Sequence, residues 1–389
     1  MTNQSSLSQS NAHTFPKITF GILVLNGEPF TRYCIRALYP HAHQIIVVEG
    51  AVEKARSIAT PDGHSLDQTR ETLASVKAHE DPENKIMIIS RDGFWADKPA
   101  MGRAYLEYIT GDYLWQVDSD EFYLDEDIEK VRQLLAENPK IDGASFRWLV
   151  FWGNEKYLTD GWRLRARRDG FNRLFRWGKG FDYDHYGTDP KGPTVTTPDG
   201  FVLTQGNWLS AYDLVEKGIY LYHFSLVFPS QVLKKSKGYA AGISPKVDNS
   251  KMYDWAEQNW LHLQNPFRVH NRYQYISWLE RYDGLLPQQA VKMFEDIRSG
   301  KIECEMREMQ DAIRIERHPY YRFKRAILRY AGDFVNGHPD SKASFWVLLI
   351  SEKWVNEGLI ALVKDGMAKV GSAPVKLIKR LTIDRFSAK

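Results

Sequence analysis

Four apolar runs recur through the first third of the chain: KITFGILVL (17–25), QIIVVEG (44–50), KIMIIS (85–90) and DYLWQVD (112–118). Each is short and almost continuously hydrophobic, the pattern of a strand buried on both faces. The segments between them read as helices. Residues 28–39 place Phe30, Tyr33, Cys34 and Leu38 on one face, and 66–79 and 99–109 have similar character. Buried strands alternating with helices predict an α/β domain with a mostly parallel sheet covered on both sides. Such sheets bind ligands beyond the carboxyl ends of their strands. Asn26, Glu49, Asp118 and Asp120 all fall at those ends.

Further along, the pattern becomes mixed and rich in aromatic residues, with strands expected at 144–152, 172–177 and 219–225. A domain is therefore expected over 16–265, preceded by a polar, disordered leader (1–15) and followed by a helical C-terminal region (266–389). The leader, MTNQSSLSQSNAHTF, has neither the charge nor the apolar core of a signal peptide. Of the 389 residues, 43% are hydrophobic and 13% aromatic, enough to build a packed core. A net charge of +3 creates no general demand for a polyanionic partner. Cys34 and Cys304 are the only cysteines, which excludes a disulfide framework or zinc ribbon and fits a reducing, cytoplasmic setting. The apolar run FWVLLI (345–350) falls far short of the roughly 18 residues that span a bilayer.

The stretch WQVDSDEFYLDEDIEK (115–130) concentrates negative charge where the fourth strand ends. Residues i and i+2 of an extended segment point to the same side, so Asp118 and Asp120 can face one point. Two carboxylates about 6 Å apart repel by about 3 kcal/mol at an effective dielectric near 20, which a cation between them would relieve. Mg²⁺ or Mn²⁺ is commonly held by one or two carboxylates plus substrate phosphates. An EF-hand is excluded because Tyr123 stands where its loop requires glycine. Asp125, Glu126 and Asp127 have a different expected role, as the acidic first turn of the next helix.

Taken in order, these motifs resemble the GT-A-fold glycosyltransferases of the broad family 2 type. They are LNGE (25–28), VVEGA (47–51), GHSLDQTRE (63–71) and DKPAMGRAYLEYITGDYLWQVDSDE (97–121). A looser similarity continues through RLFRWGKGFDYDHYG (173–187) and YHFSLVFPSQVLKKSKGY (222–239). One departure is the eleven-residue insertion VEKARSIATPD (52–62), placed where commoner members join the acidic turn directly to the Ser-x-Asp motif.

The resemblance implies a GT-A domain with a nucleotide-binding half (16–123) and an acceptor half (124–265). It also implies inverting transfer from a nucleotide-sugar donor, UDP-linked, to a glycan or lipid-linked saccharide. On it, Asn26, Glu28 and Glu49 belong to the nucleotide-sugar site, and Lys98, Arg103 and Lys237 meet phosphates. Asp118 contacts ribose or metal, while Asp120 and His223 complete a Mn²⁺ or Mg²⁺ site. The general base that inversion needs is assigned to Asp184, with His185 beside it, then to Asp189, with Glu155 as a further candidate.

Other readings stand beside this one. GWRLRARRDGFNRLFRWGKG (161–180) interleaves arginines with aromatic residues, as single-stranded nucleic-acid binders do. The resemblance instead makes this an acceptor surface, with no nucleic-acid partner. A relative that keeps the fold without turnover is a third possibility. The amphipathic segment 344–371 has three expected roles: docking on the inner membrane face, packing on the catalytic domain, or pairing with another copy of the chain.

Overall fold

The computed structural model describes residues 15–162, 164, 170–186, 192–243, 250–271, 275–338 and 341–358. The four apolar runs form β1 (Ile18–Val24), β2 (Gln44–Glu49), β3 (Ile86–Ser90) and β4 (Tyr113–Asp118). Between them lie α1 (Thr31–Leu38), α2 (Thr69–His79) and α3 (Lys98–Arg103). Next come β5 (Glu121–Phe122), α4 (Asp125–Glu137), β6 (Gly143–Phe146), β7 (Trp148–Trp152), β8 (Asn154–Gly161) and β9 (Phe171–Arg176). They are followed by β10 (Asp182–Asp184), β11 (Thr194–Thr196), β12 (Trp208–Leu209), α5 (Ala211–Val215), β13 (Leu221–Leu226), α6 (Pro229–Ala240) and α7 (Met252–Trp255). The chain then forms β14 (Ser277–Arg281), α8 (Gln288–Arg298), α9 (Gln310–Arg317), α10 (Pro319–Gly337) and α11 (Lys342–Glu357).

The expected α/β architecture is present. A seven-stranded sheet runs β12-β6-β9-β4-β1-β2-β3, with β4, β1, β2 and β3 parallel and β9 reversed between β4 and β6. Register places the functional ends together: Val24 lies opposite Glu49, Leu23 opposite Asp118, and Glu49 opposite Ser90. Alternation along β4 sends Tyr113, Trp115 and Val117 into the core cluster that also contains α1 and α4 side chains. Leu114 faces the opposite cluster with Tyr105, Phe175 and Tyr183, so Gln116 and Asp118 point to that side too.

The apolar stretch 144–152 is not one strand. It breaks at Arg147, and β6 joins the large sheet while β7 joins a second sheet ordered β14-β8-β7-β13-β5. A continuous apolar run conceals this switch because both halves are buried. The helical region also begins later than residue 265. β14 pairs with β8, and the Tyr33 hydroxyl on α1 donates to Asp296 on α8 at 2.7 Å, so residues up to 318 belong with the sheets. Among the described residues, those from Pro319 onward form a separate compact unit in which α10 packs on α11. No helix among the described residues is long and apolar enough to cross a membrane. The part of the expected amphipathic segment past 358 lies outside the described residues, as does Asp189.

Tyr33 and Asp296 are both buried, and their bond ties α8 to α1. Replacing Tyr33 with Phe removes a hydrogen bond to a charged acceptor, and we expect urea denaturation to show a loss of about 1.5–3 kcal/mol. An unchanged midpoint would mean that Lys292 and Lys301, which also contact Asp296, satisfy it without the hydroxyl.

Candidate functional site

A pocket opens at the carboxyl ends of β1 and β4. It is lined by Leu23 to Asn26, by Gly50 after β2, by Val52, Ala55 and Ile58 from the insertion, by Lys98 and Met101 of α3, and by Asp118 to Asp120. Gln231, Lys234, Lys235 and Tyr239 of α6 close the other side. An acidic pair and lysines therefore share one concavity with largely apolar walls.

Asp118 and Asp120 have separate protein partners. Arg173, on β9, is 4% exposed and reaches three residues, Gln116 and Asp118 of β4 and Glu121 of β5. Its guanidinium donates to Gln116 Oε1 at 2.5 Å, to Asp118 Oδ2 at 3.0 Å and to Glu121 Oε2 at 2.9 Å. Burial disfavours the Asp118 carboxylate, but Arg173 and Lys98 outweigh it and hold the pKa at about 2. Glu121 is pushed the other way, because burial and the Asp118 charge exceed what Arg173 returns.

Asp120 is 4% exposed and accepts from Lys235 Nζ at 3.0 Å and Gln231 Nε2 at 3.1 Å. His223 Nε2 lies 3.5 Å from its other oxygen. Burial again opposes the charge, yet Lys235 and His223 depress the Asp120 carboxyl well below the usual range. Reciprocally, burial disfavours the Lys235 ammonium but Asp120 holds its pKa above the ordinary lysine value.

The fit to a divalent cation rests on His223. It is 8% exposed, and apart from the long 3.5 Å approach of Nε2 to Asp120 its ring nitrogens have no well-formed hydrogen bond among the described residues. Its ring stacks on Trp148 with centroids 5.4 Å apart and planes 9° apart, which fixes its orientation. An unsatisfied buried imidazole facing a carboxylate is a donor set that a hard-to-borderline cation can use. Asp118 offers less, since both its oxygens already accept, from Arg173 and from Gln116 Nε2.

Asn26 and Glu49 organise the wall. Asn26 adopts a left-handed backbone (φ 54°), accepts from Leu66 N at 2.6 Å and donates from Nδ2 to Ile58 O at 2.7 Å. The insertion, at Ile58, and the segment just after it, at Leu66, are thereby fastened to the end of β1. Glu49 is 1% exposed, and its oxygens accept from Ser65 N, Ser65 Oγ, Ser90 Oγ and His64 Nδ1, all at 2.8–2.9 Å. It stands behind the pocket wall rather than on it.

Three expected residues lie away from the lining. Glu28 turns toward Thr31 and Thr72, and burial raises its pKa. Arg103 pairs with Asp182 at 3.1 Å on an exposed edge. Lys237 is exposed, because two residues along α6 rotate it by about 200° from Lys235. Lys98 does line the pocket, at the first turn of α3 after the Asp97 cap, which accepts from Ala100 N at 2.7 Å.

Of the base candidates, Asp184 ends β10 and accepts from Tyr186 N at 3.0 Å. His185 is half-buried, and burial plus the charges of Lys98 and Arg173 push its pKa down to about 3, so it stays neutral at physiological pH. Glu155 is committed to Arg298. The arginine-aromatic segment divides likewise: Trp162, Arg173 and Phe175 are buried, Arg176 pairs with Asp142 at 2.8 Å, and Arg163, Arg165, Arg167 and Arg168 lie outside the described residues.

Sequence reasoning missed Arg173 and Gln231, and of Lys234, Lys235 and Lys237 on α6 it favours Lys237, whereas the other two line the pocket. The α6 residues carry a readable signal, since Gln231, Lys234, Lys235 and Tyr239 are spaced i, i+3, i+4, i+8 on one helical face.

No protein-family model matches the chain, and no curated protein does. Solved structures similar to it include glucosyl-3-phosphoglycerate synthase from Mycobacterium tuberculosis in complex with Mn²⁺, uridine diphosphate and phosphoglyceric acid. That likeness has 15% identity and a TM-score of 0.26, over 34% of this chain and 43% of the other. S. aureus TarS is similar at 12% identity with a TM-score of 0.34, over 65% of this chain and 45% of that one. The chain thus spans less than half the length of either structure.

The depressed Asp118 pKa has a stability consequence. Its folded value lies below the usual unfolded value of about 3.9, so its contribution is present above pH 4 and is lost as pH falls toward 2. Replacing Arg173 with Met should leave Asp118 and Glu121 without their guanidinium and cost about 3–5 kcal/mol near pH 7. The penalty should shrink in acid as the carboxyls protonate, which urea melts at pH 7 and pH 3.5 would measure.

Proposed function

We propose that this protein is a nucleotide-sugar-dependent glycosyltransferase of the GT-A type, moving a sugar from a UDP-linked donor to a saccharide acceptor with inversion. The observation that carries the reading is the single pocket at the ends of β1 and β4. It combines an acidic pair, one member facing an unsatisfied histidine, with Lys98, Lys234 and Lys235. A nucleoside diphosphate and a divalent cation together match that mixture of charges, whereas either alone would leave one sign uncompensated.

In this reading Asp120 and His223 hold Mn²⁺ or Mg²⁺, which when bound stabilises negative charge on the departing diphosphate. Lys98, Lys234 and Lys235 position the phosphates. Asp118, fixed by Arg173, meets the ribose, and the wall built by Asn26 and residues 52–58 of the insertion receives the base. Glu49 acts by stiffening that wall. Asp184 is the base that removes the acceptor hydroxyl proton, and the neutral His185 orients the acceptor. The apolar half of the pocket excludes water from the donor, which favours transfer over hydrolysis.

Lys235 carries a second role. Its ammonium balances Asp120 before ligands arrive, so loading the site requires it to turn from the carboxylate toward the diphosphate. Lysine's flexible stem permits this exchange.

A thermal-shift screen of nucleotide sugars with and without Mn²⁺ tests the proposal directly, because a ligand that binds the native state raises its stability by mass action. We expect one UDP-sugar to raise the melting temperature only with the metal. Asp120→Asn should lower transfer by about 10²-fold or more, consistent with losing a Lewis acid worth several kcal/mol. Lys235→Ala should weaken UDP binding and Lys237→Ala should leave it unchanged, by calorimetry. No shift with any nucleotide sugar would favour a relative without turnover, and strongly salt-dependent binding of generic RNA would favour the nucleic-acid reading.

A further inference from the structure

A second group of metal-competent side chains lies on the far side of the wall, away from the Asp118–Asp120 pair. Asp62, His64 and Asp92 each present one donor atom, and these atoms lie within 4.8 Å of one another. Among the described residues this is the one group of three or more His, Cys, Asp or Glu side chains with such convergence. Two of its members, Asp62 and Asp92, are exposed, and His64 is 1% exposed. Acidic surface groups alone would mean little; the construction around the histidine is what distinguishes this cluster.

His64 Nδ1 lies 2.8 Å from Glu49 Oε2, and its Nε2 lies 3.0 Å from Asp92 Oδ1. Glu49 is buried and also accepts from Ser65 and Ser90, so it is a fixed acceptor that places the proton on Nδ1. The Nε2 lone pair of that tautomer then faces a second carboxylate. Two acceptors cannot share such a contact unless something positive joins them, either a second ring proton or a cation bound to both. A separation of about 3 Å is also that of adjacent ligands around an ion with bonds of roughly 2.1 Å. The buried carboxylate behind the imidazole is the outer-shell arrangement that fixes tautomer and ring orientation in metal sites.

The two loops bearing the donors are clamped by backbone contacts. Gly93 N donates to Asp62 O at 2.8 Å, and Gly63 N donates to Thr60 O at 2.9 Å. Gly63 has φ +85°, and a Cβ there would come within 2.5 Å of Gly93 O, so the approach requires glycine. Asp62 and Asp92 are thus presented from two loops held in register on either side of His64. The positive charge of Arg70 acts on His64 from α2 and opposes a cation, against three carboxylates.

We propose that Asp62, His64 and Asp92 form a binding site for a divalent transition cation of the Zn²⁺ or Mn²⁺ class, separate from the Asp120–His223 pair. One imidazole nitrogen and two carboxylates suit such ions, and solvent completes the shell. Its effect is structural. The ion joins loop 60–64 to loop 91–95, and through Glu49 and Ser65 it stiffens the segment that Asn26 fastens to the pocket. Binding replaces the Nε2 proton wherever the imidazole is doubly protonated, so uptake of the ion releases that proton to solvent.

Calorimetric titration of the full chain with Zn²⁺, and separately Mn²⁺, tests this with no reference to transfer activity. The comparison uses wild type, D62N/D92N and D120N. The first variant changes two exposed side chains, and circular dichroism without metal should give a melting temperature within a few degrees of wild type. We expect one cation site to survive in D120N, with affinity at least tenfold weaker in D62N/D92N. Zn²⁺ should raise the melting temperature of wild type and not of D62N/D92N. H64Q provides an independent arm and should lose the same site. Equal affinity in wild type and D62N/D92N, survival in D62N/D92N with loss in D120N, or no Zn²⁺ or Mn²⁺ binding by wild type up to 1 mM would each overturn the proposal. A failed nucleotide-sugar screen would leave this result untouched, since neither readout involves a nucleotide.

Discussion

The Arg173 guanidinium is the constraint from which the candidate site follows. It is buried beneath the pocket floor, and it binds the end of β4 to β9 through Gln116, Asp118 and Glu121 at once. A buried guanidinium without partners would be prohibitively unfavourable, and so would the buried Glu121 carboxylate beside Asp118 without a cation. The three groups therefore enforce each other's positions. Their mutual demand sets the angle at which Asp118 looks into the pocket, and it directs the chain toward Asp120 two residues later. Asp120 then has its own cation, Lys235, arriving from a different helix. The acidic pair that looks unstable as sequence is stable as structure because each carboxylate is answered from a separate element.

This arrangement divides the site into a fixed part and an adjustable part. Arg173 is 4% exposed and uses several of its donors within the protein, so it is anchored. Lys235 is a flexible side chain at the pocket edge and can follow a phosphate. Asp120 thus combines a fixed backbone position with a flexible partner, the combination that the proposed exchange of Lys235 for a metal ion would use. The wall opposite is similarly graded: Glu49 is saturated behind it, Asn26 fastens it, and the apolar residues Val52, Ala55 and Ile58 form its surface.

Much of this was legible in the sequence, and the exceptions have physical reasons. Strands β1 to β4 announce themselves because both of their faces are buried, leaving no polar positions to blur the pattern. Register then follows from length, and it brings Asn26, Glu49 and Asp118 to one edge as expected. β8 (NEKYLTDG) escaped because its alternating polar residues resemble a loop, and the β6–β7 break escaped because hydrophobicity is blind to which sheet a buried strand joins. Arg173 was invisible as a site residue because its partners lie 52–57 positions away. Lys235 and Lys237 differ in helical phase, and the spacing from Gln231 to Tyr239 makes the pocket-facing phase readable. His64 went unremarked because its meaning depends wholly on Glu49 and Asp92, one buried and one exposed, on two other segments.

The break at Arg147 has a twin at Ser119–Asp120, where β4 of the large sheet gives way to β5 of the second sheet. Two covalent seams, each only one or two residues long, therefore stitch the sheets to one another. Two seams this short keep the joined strand ends within a few ångströms of one another, which limits how far the sheets can separate along that line. Admission and release of anything in the pocket must then fall to the parts that are not stitched, namely side chains of α6 and the loops that border them. Asp120 itself lies within one of the seams, so the residue most in need of constant placement sits where the backbone has least freedom to move.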